Sequence, residues 1–234
     1  MKKYVALLLV LVMICSSMAV YADFSDVPKA SSYADAVERL SSLGIMTGNG
    51  NNVFKPKDNV TREQFAVIMV KAAALTDTAE ALKGSTVFSD VSPSSTNSGY
   101  IALAVQKGYV SGLTDGKFHP KDKITYAQVC YAAVKALGYT DQDVTGLWPR
   151  NYMEKAAKLG LIDGIKLKST DGVPKWAMAL IIDRLLDTNI KKTSASEGEK
   201  SFADAAGLFV QGIILANSKT SDKLADNQVQ TDKG

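Results

Sequence analysis

Residues 44–74 read GIMTGNGNNVFKPKDNVTREQFAVIMVKAAA, and a version of this stretch returns at 108–138, GYVSGLTDGKFHPKDKITYAQVCYAAVKALG, and at 160–186, GLIDGIKLKSTDGVPKWAMALIIDRLL. Each copy has a Gly-closed helix end, then a loop built from Gly, Pro, Asn or Asp. In the first copy Thr61-Arg62-Glu63-Gln64 then opens an apolar-striped helix. Phe24 to Phe88, Gly44 to Gly108 and Val60 to Ile124 are each 64 residues apart. The third copy is shorter, with Gly108 to Gly160 separated by 52 and Ile124 to Val173 by 49. A repeat of this length sets the architecture before any single element does, because one unit cannot bury its own apolar face.

Each copy reads as helix, loop, helix. In the first, Val37, Leu40 and Leu43 stripe one helix, and Phe65, Ile68, Met69 and Ala72 stripe the next at helical spacing. The second repeats this with Ile101, Ala104 and Val105, then Val129, Ala133 and Leu137. The third uses Met153, Ala156 and Ala157, then Met178, Ile181, Ile182 and Leu185. A lone helical pair leaves one stripe wet, so three pairs packed around a shared core are expected, giving a mostly α domain.

Upstream, residues 1–22 carry Lys2 and Lys3, an apolar run and a small-residue exit, the pattern of a secretory signal peptide. Bulky Ile14 before Cys15 argues against lipidation. Cleavage after Ala22 removes two of the 27 basic residues and none of the 24 acidic ones, so the exported chain is nearly neutral. That balance excludes a nucleic-acid binder, and no membrane association is expected after cleavage. Cys130 is then the sole cysteine and reads as a buried structural thiol, so stability rests on packing rather than disulfides. Chains of this size bury roughly 70% of their unfolded surface, which suffices. His119 is the only histidine, which removes His-based triads and His-rich zinc sites. No cofactor and no metal are expected.

Within the loops, Gly48 and Gly50, Gly112 and Gly116, and Gly164 and Gly172 are read as turn positions, with Phe54 and Phe118 pinning each loop onto its own helices. Asp115 and Asp122 read as turn residues, since the carboxylate spacing of a calcium loop is missing. Thr61 with Gln64, and Thr125 with Gln128, have capping-box spacing, worth about 1 kcal/mol per cap. Arg62 is not explained by capping: a cation at a helix N-terminus opposes the macrodipole and invites an anionic ligand. One residue past the cap, its side chain is expected to face solvent or a groove.

Taken together, Phe24-Ser25-Asp26-Val27 and Phe88-Ser89-Asp90-Val91, the Gly-x-x-x-Gly turns, Phe before Lys-Pro or His-Pro, and Thr-Arg-Glu-Gln resemble the S-layer homology domain. The resemblance covers residues 24–190, and three tandem copies are usual in that family. It implies a pseudo-threefold bundle that anchors an exported protein noncovalently to the bacterial wall by binding secondary cell-wall polysaccharide, commonly pyruvylated, in grooves between repeats. The family's groove residues are the entry Asp, a Trp at the first helix and the Arg of its Thr-Arg motif. They carry over to Asp26 and Asp90, to Trp148, and to Arg62, whose position holds Tyr126 in the second copy and Lys175 in the third. Gln64 joins them as a polysaccharide contact. A pyruvate ketal offers a carboxylate that Arg meets as a bidentate fork, Lys as a point charge and Tyr with a single hydrogen bond. Other surface-layer proteins are further candidate partners. Trp176 at a helix start reads as packing.

The expected organisation is a signal peptide at 1–22, repeats at 23–84, 85–140 and 141–192, and at 193–234 a linker followed by the start of a β domain. A second functional class is a wall-acting glycoside hydrolase, which needs two carboxylates about 5 Å or 6.5–9.5 Å apart. The obvious acids here are read as capping or turn residues, so an enzyme would lie outside this chain.

Overall fold

The computed structural model describes residues 24–194 and 196–208. The leader at 1–22 and the β segment expected beyond residue 208 lie outside them. In chain order the described helices are α1 (Ala34–Ser42), α2 (Arg62–Ala72), α3 (Thr76–Ala81), α4 (Ser98–Gln106), α5 (Tyr126–Ala136), α6 (Arg150–Lys158), α7 (Lys175–Asp187) and α8 (Phe202–Ala206). Pairing among them exchanges partners between repeats. The second helix of each repeat packs on the first helix of the next: α2 on α4, α5 on α6, and α7 back on α1. The three repeats therefore close a ring.

Its centre is made by the residue before each helix cap. The Val60 N–H donates to Val173 O at 2.9 Å, Ile124 N–H to Val60 O at 3.0 Å, and Val173 N–H to Ile124 O at 3.2 Å. These three positions are equivalent in the repeat register and buried. A cycle of three hydrogen bonds satisfies every member, whereas any two copies alone would strand buried donors and acceptors. Around it, the first two N–H groups of each second helix donate into the next repeat's loop. Arg62 and Glu63 reach Asp122 O and Pro120 O, Tyr126 and Ala127 reach Asp171 O and Ser169 O, and Lys175 and Trp176 reach Asp58 O and Pro56 O. Main-chain carbonyls thus occupy these helix N-termini, the place where an anion was expected.

The capping boxes form as read. Gln64 Oε1 accepts the Thr61 N–H while Thr61 Oγ accepts the Gln64 N–H, and Thr125 with Gln128 does the same. The stripes face the core, with Leu43, Val105 and Met153 half-buried at its edge and one shift: in α6, Tyr152 and Ala156 are buried, while Ala157 is exposed. Gly50, Gly116 and Gly164 hold positive φ as turn positions should. Gly48 and Gly112 serve a different need. A Cβ on them would stand 2.5 and 2.6 Å from the entry rings of Phe24 and Phe88, so they are Gly to admit an aromatic side chain.

Two features were not legible beforehand. Helix α3 links the first two repeats and lies against α4 at Gly99, where a Cβ would meet Ala79 O at 1.9 Å. Beyond α7, the expected solvated linker turns back: Ile190 N–H meets Lys200 O at 2.9 Å, and Phe202 is buried, with α8 packed on α7. Arg39 on α1 closes the ring at the surface with Asp183 at 3.0 Å and Asp187 at 2.8 Å, both on α7.

Candidate functional site

The entry aspartates clamp the loops. Asp26 accepts the N–H of Phe54 at 2.8 Å and of Lys55 at 2.6 Å, and Asp90 accepts those of Phe118 at 2.9 Å and His119 at 2.6 Å. Burial works to raise both carboxyl pKa values, and the N–H donors outweigh it and hold them below the usual range. Lys55 and His119 take positive φ, which turns their N–H groups toward the clamp. Phe54 and Phe118, fixed this way, stack on Phe24 and Phe88 with ring centroids 5.3 and 5.4 Å apart.

Onto each clamped loop the neighbouring repeat drives one side chain. Arg62 is buried at 2% exposure, donates from Nε to Phe118 O at 2.7 Å and from Nη2 to Ser111 O at 2.6 Å, and lies 4.7 Å over the Phe118 ring. Lys175 mirrors it in the first repeat's loop, with Nζ 2.6 Å from Phe54 O, 3.3 Å from Thr47 O and 4.2 Å over the Phe54 ring. Tyr126 mirrors both in the third, its hydroxyl 3.4 Å from Ile165 O. Expected to face solvent or a groove, Arg62 is buried rather than solvent-facing, though it does border a groove, and all three residues bolt one repeat to the next. Phe54 and Phe118 likewise pin the loop between repeats, not only onto its own helices. Tyr126, at 1% exposure, has no ring face left for a sugar.

Two grooves open beside these bolts. One, of about 400 Å³, is lined by Arg62, Tyr109, Ser111, Gln128, Tyr131 and Trp148 among others. The other, of about 230 Å³, is lined by Lys175, Thr47, Gln64, Val67, Lys71 and Asn97 among others. Thr47, Gln64 and Val67 stand 64 residues before Ser111, Gln128 and Tyr131, so the grooves are the same place in successive repeats. Burial lowers the Arg62 and Lys175 pKa values, against Asp122 and Asp90 near the former and Asp26 and Asp58 near the latter. The Arg62 guanidinium stays charged regardless. Its side-chain hydrogen bonds go to the carbonyls of Phe118 and Ser111, with Asp122 and Asp90 nearby, and it borders the larger groove.

The S-layer homology domain model matches residues 23–66 and 87–130, the entry, helix and loop of the first two repeats through the start of their second helices. The chain carries S-layer homology domains. The third helix-loop-helix unit joins the same hydrogen-bonded ring and lies outside the matched residues. A "Cell surface protein" of Thermoanaerobacter kivui is 34% identical over 197 residues, 82% of this chain and 25% of the relative. A "Surface layer protein" of Brevibacillus choshinensis is 32% identical over 61% of this chain and 13% of the relative. A "Cellulosome-anchoring protein" of Acetivibrio thermocellus is 28% identical over 51% of this chain and 30% of the relative. The chain thus spans less than a third of the length of each.

Against the S-layer homology resemblance, the expected site residues divide. Arg62 and Trp148 meet in the larger groove, Gln64 and Lys175 in the smaller. Asp26 and Asp90 stand behind the loops as clamps and line neither of these grooves. Trp148 is 54% exposed on the rim, whereas Trp176 packs against the core, 6.2 Å from Tyr33. Sequence reasoning missed Tyr109, Tyr131 and Gln128. The period alone would have found Gln128 as the copy of Gln64.

Proposed function

We propose that this chain anchors an exported protein noncovalently to the bacterial wall by binding a secondary wall polysaccharide in the groove between Arg62 and Trp148. Its place is the bacterial cell surface. The observation that carries the reading is the combination in one groove of a buried guanidinium, a glutamine amide, and the rings of Tyr109, Tyr131 and Trp148. An apolar, aromatic-lined cleft with a few directed polar groups is the usual form of a small-ligand site, and about 400 Å³ falls within the roughly 300–1,000 Å³ such sites span. Buried positive charge selects an acidic saccharide such as one bearing a pyruvate ketal. Asp26 and Asp90 are engaged by main-chain N–H groups rather than free as an acid pair, which supports binding over cleavage.

The test is cosedimentation with purified wall sacculi before and after the polysaccharide is stripped, followed by calorimetry with a pyruvylated fragment and its ketal-free counterpart at matched salt. Trp148→Ala, at an exposed rim position, should leave the fold intact and weaken binding about tenfold. Equal sedimentation with stripped sacculi would overturn the reading.

A further inference from the structure

The two grooves share a scaffold and differ in one wall. Where the smaller groove has Ile45 and Val67, the larger has Tyr109 and Tyr131. Where the smaller ends at Asn97, the larger ends at Trp148, one register position away at the start of the next repeat's first helix. Aromatic rings therefore line only one of these two grooves.

Those rings are held from behind. Tyr131 stands 4.7 Å from Tyr152 and 5.8 Å from Trp148, the latter edge-on at 84°, and Trp148 stands 6.2 Å from Tyr152. Tyr152 is buried at 3% exposure, and its hydroxyl donates to Asp141 in the short 3₁₀ turn Asp141–Asp143. That turn is anchored in its own right, because Asp143 accepts the Thr140 N–H at 2.7 Å and pairs with Lys191. Tyr152 thus cannot tilt without breaking its hydrogen bond to Asp141, and Tyr131 and Trp148 lean on it. The bare alternative is that this triad only packs α5 against α6. Packing alone would not bring Tyr131 and Trp148 to the wall of an open groove or leave Trp148 half exposed.

We infer that Tyr131 is the specificity-determining residue that lets this groove, and not its counterpart at Val67, take the apolar face of a sugar ring, and that Tyr152 is the positioning residue that holds Tyr131 and Trp148 in place. The inference rests on the wall-polysaccharide reading and deepens it. One face of a pyranose presents mainly C–H groups, and a fixed aromatic plane receives them with little entropy lost on binding. An aliphatic wall such as Val67 offers no such plane. With Arg62 behind the same groove, the ligand is a saccharide with an acidic substituent toward Arg62 and a C–H face toward Tyr131.

The experiment uses calorimetry of wall polysaccharide with the full chain and its Tyr131→Val, Tyr152→Leu and Tyr152→Phe variants, each checked for cooperative unfolding. Tyr131→Val converts the wall to that of the other groove and should weaken binding roughly two- to tenfold. Tyr152→Leu should weaken it comparably, while Tyr152→Phe, which keeps the ring contacts with Tyr131 and Trp148 but loses the hydrogen bond to Asp141, should weaken it less than Tyr152→Leu does. Near-ultraviolet circular dichroism in a Trp176→Phe background reads the Trp148 environment without ligand, and Tyr152→Leu should flatten that signal. A Tyr152→Leu chain that is less stable but binds as tightly, with its Trp148 signal unchanged, would make the residue purely structural. Folded Tyr131→Val with wild-type affinity would overturn the specificity role. Wild type that fails to bind at all would overturn the polysaccharide reading instead, so the two failures are distinct.

Discussion

Replacing Arg62 with Ala removes the donors that satisfy Phe118 O and Ser111 O and the cation over the Phe118 ring. Placed one residue past the cap with its side chain toward solvent or a groove, Arg62 reads from the sequence as contributing little to folding. Burial reverses that expectation: charge-assisted hydrogen bonds in a dry site contribute about 1.5–3 kcal/mol, and stranding their acceptors adds to the loss. Arg62→Ala should therefore destabilise the fold by about 2–4 kcal/mol, read as a lower urea midpoint. Arg62→Lys should recover part of it, because Lys175 makes the same kind of contact in the first repeat's loop with a single ammonium. An unchanged midpoint for Arg62→Ala would show that its bolt contributes nothing.

At the scale of elements, the loops of the first two repeats are each held by an entry segment through one carboxylate. Both Asp26 and Asp90 have folded pKa values below their ordinary 3.8. The linkage then runs one way: the stabilisation is present above the unfolded value and is lost as pH falls through the folded one. The chain should lose stability below about pH 4, and a double Asp26→Asn, Asp90→Asn variant should be less stable near neutrality with a flatter profile between about pH 4 and pH 2. Thermal melts across that range decide it, and an equally steep profile in the variant would place the acid sensitivity elsewhere. The third repeat has no such clamp. Its loop is three residues shorter between Gly164 and Leu167 than between Gly48 and Phe54, and Asp171 accepts the Lys168 N–H itself.

For the whole molecule, the ring of Val60, Ile124 and Val173 ties all three repeats into one cooperative unit. Deleting the third repeat strands the Val60 N–H and the Ile124 carbonyl, empties two of three helix-on-helix junctions and removes both carboxylates that meet Arg39. The remaining two repeats should then show no cooperative unfolding transition of their own, which calorimetric melting can test. Cys130 gives an internal probe: it is buried on α5, where desolvation pushes its thiol up to about 12. Native chains should react slowly with thiol reagents and deleted ones quickly.

Spacing alone determined that three helix-loop-helix units exist, where their caps fall and which stripes face inward, because helical period and capping chemistry act over four residues or fewer. Helix-terminus electrostatics marked Arg62, and the resemblance to S-layer homology domains, not spacing, marked Trp148, Gln64 and Lys175. What spacing could not give was which side of the loop those side chains take. Tyr126, Lys175 and Arg62 look like free N-terminal residues on a helix drawn alone, and become bolts only when the next repeat's loop carbonyls arrive from 39 to 56 residues away along the chain, or from 121 residues away where α7 returns to the first repeat. Tyr131 sits in a run that reads as core, and its neighbours Trp148 and Tyr152 belong to a different repeat. Local sequence encodes the elements; closure of the ring decides which faces become core, which become bolts and which are left as a groove, because that depends on contacts between segments no local pattern connects.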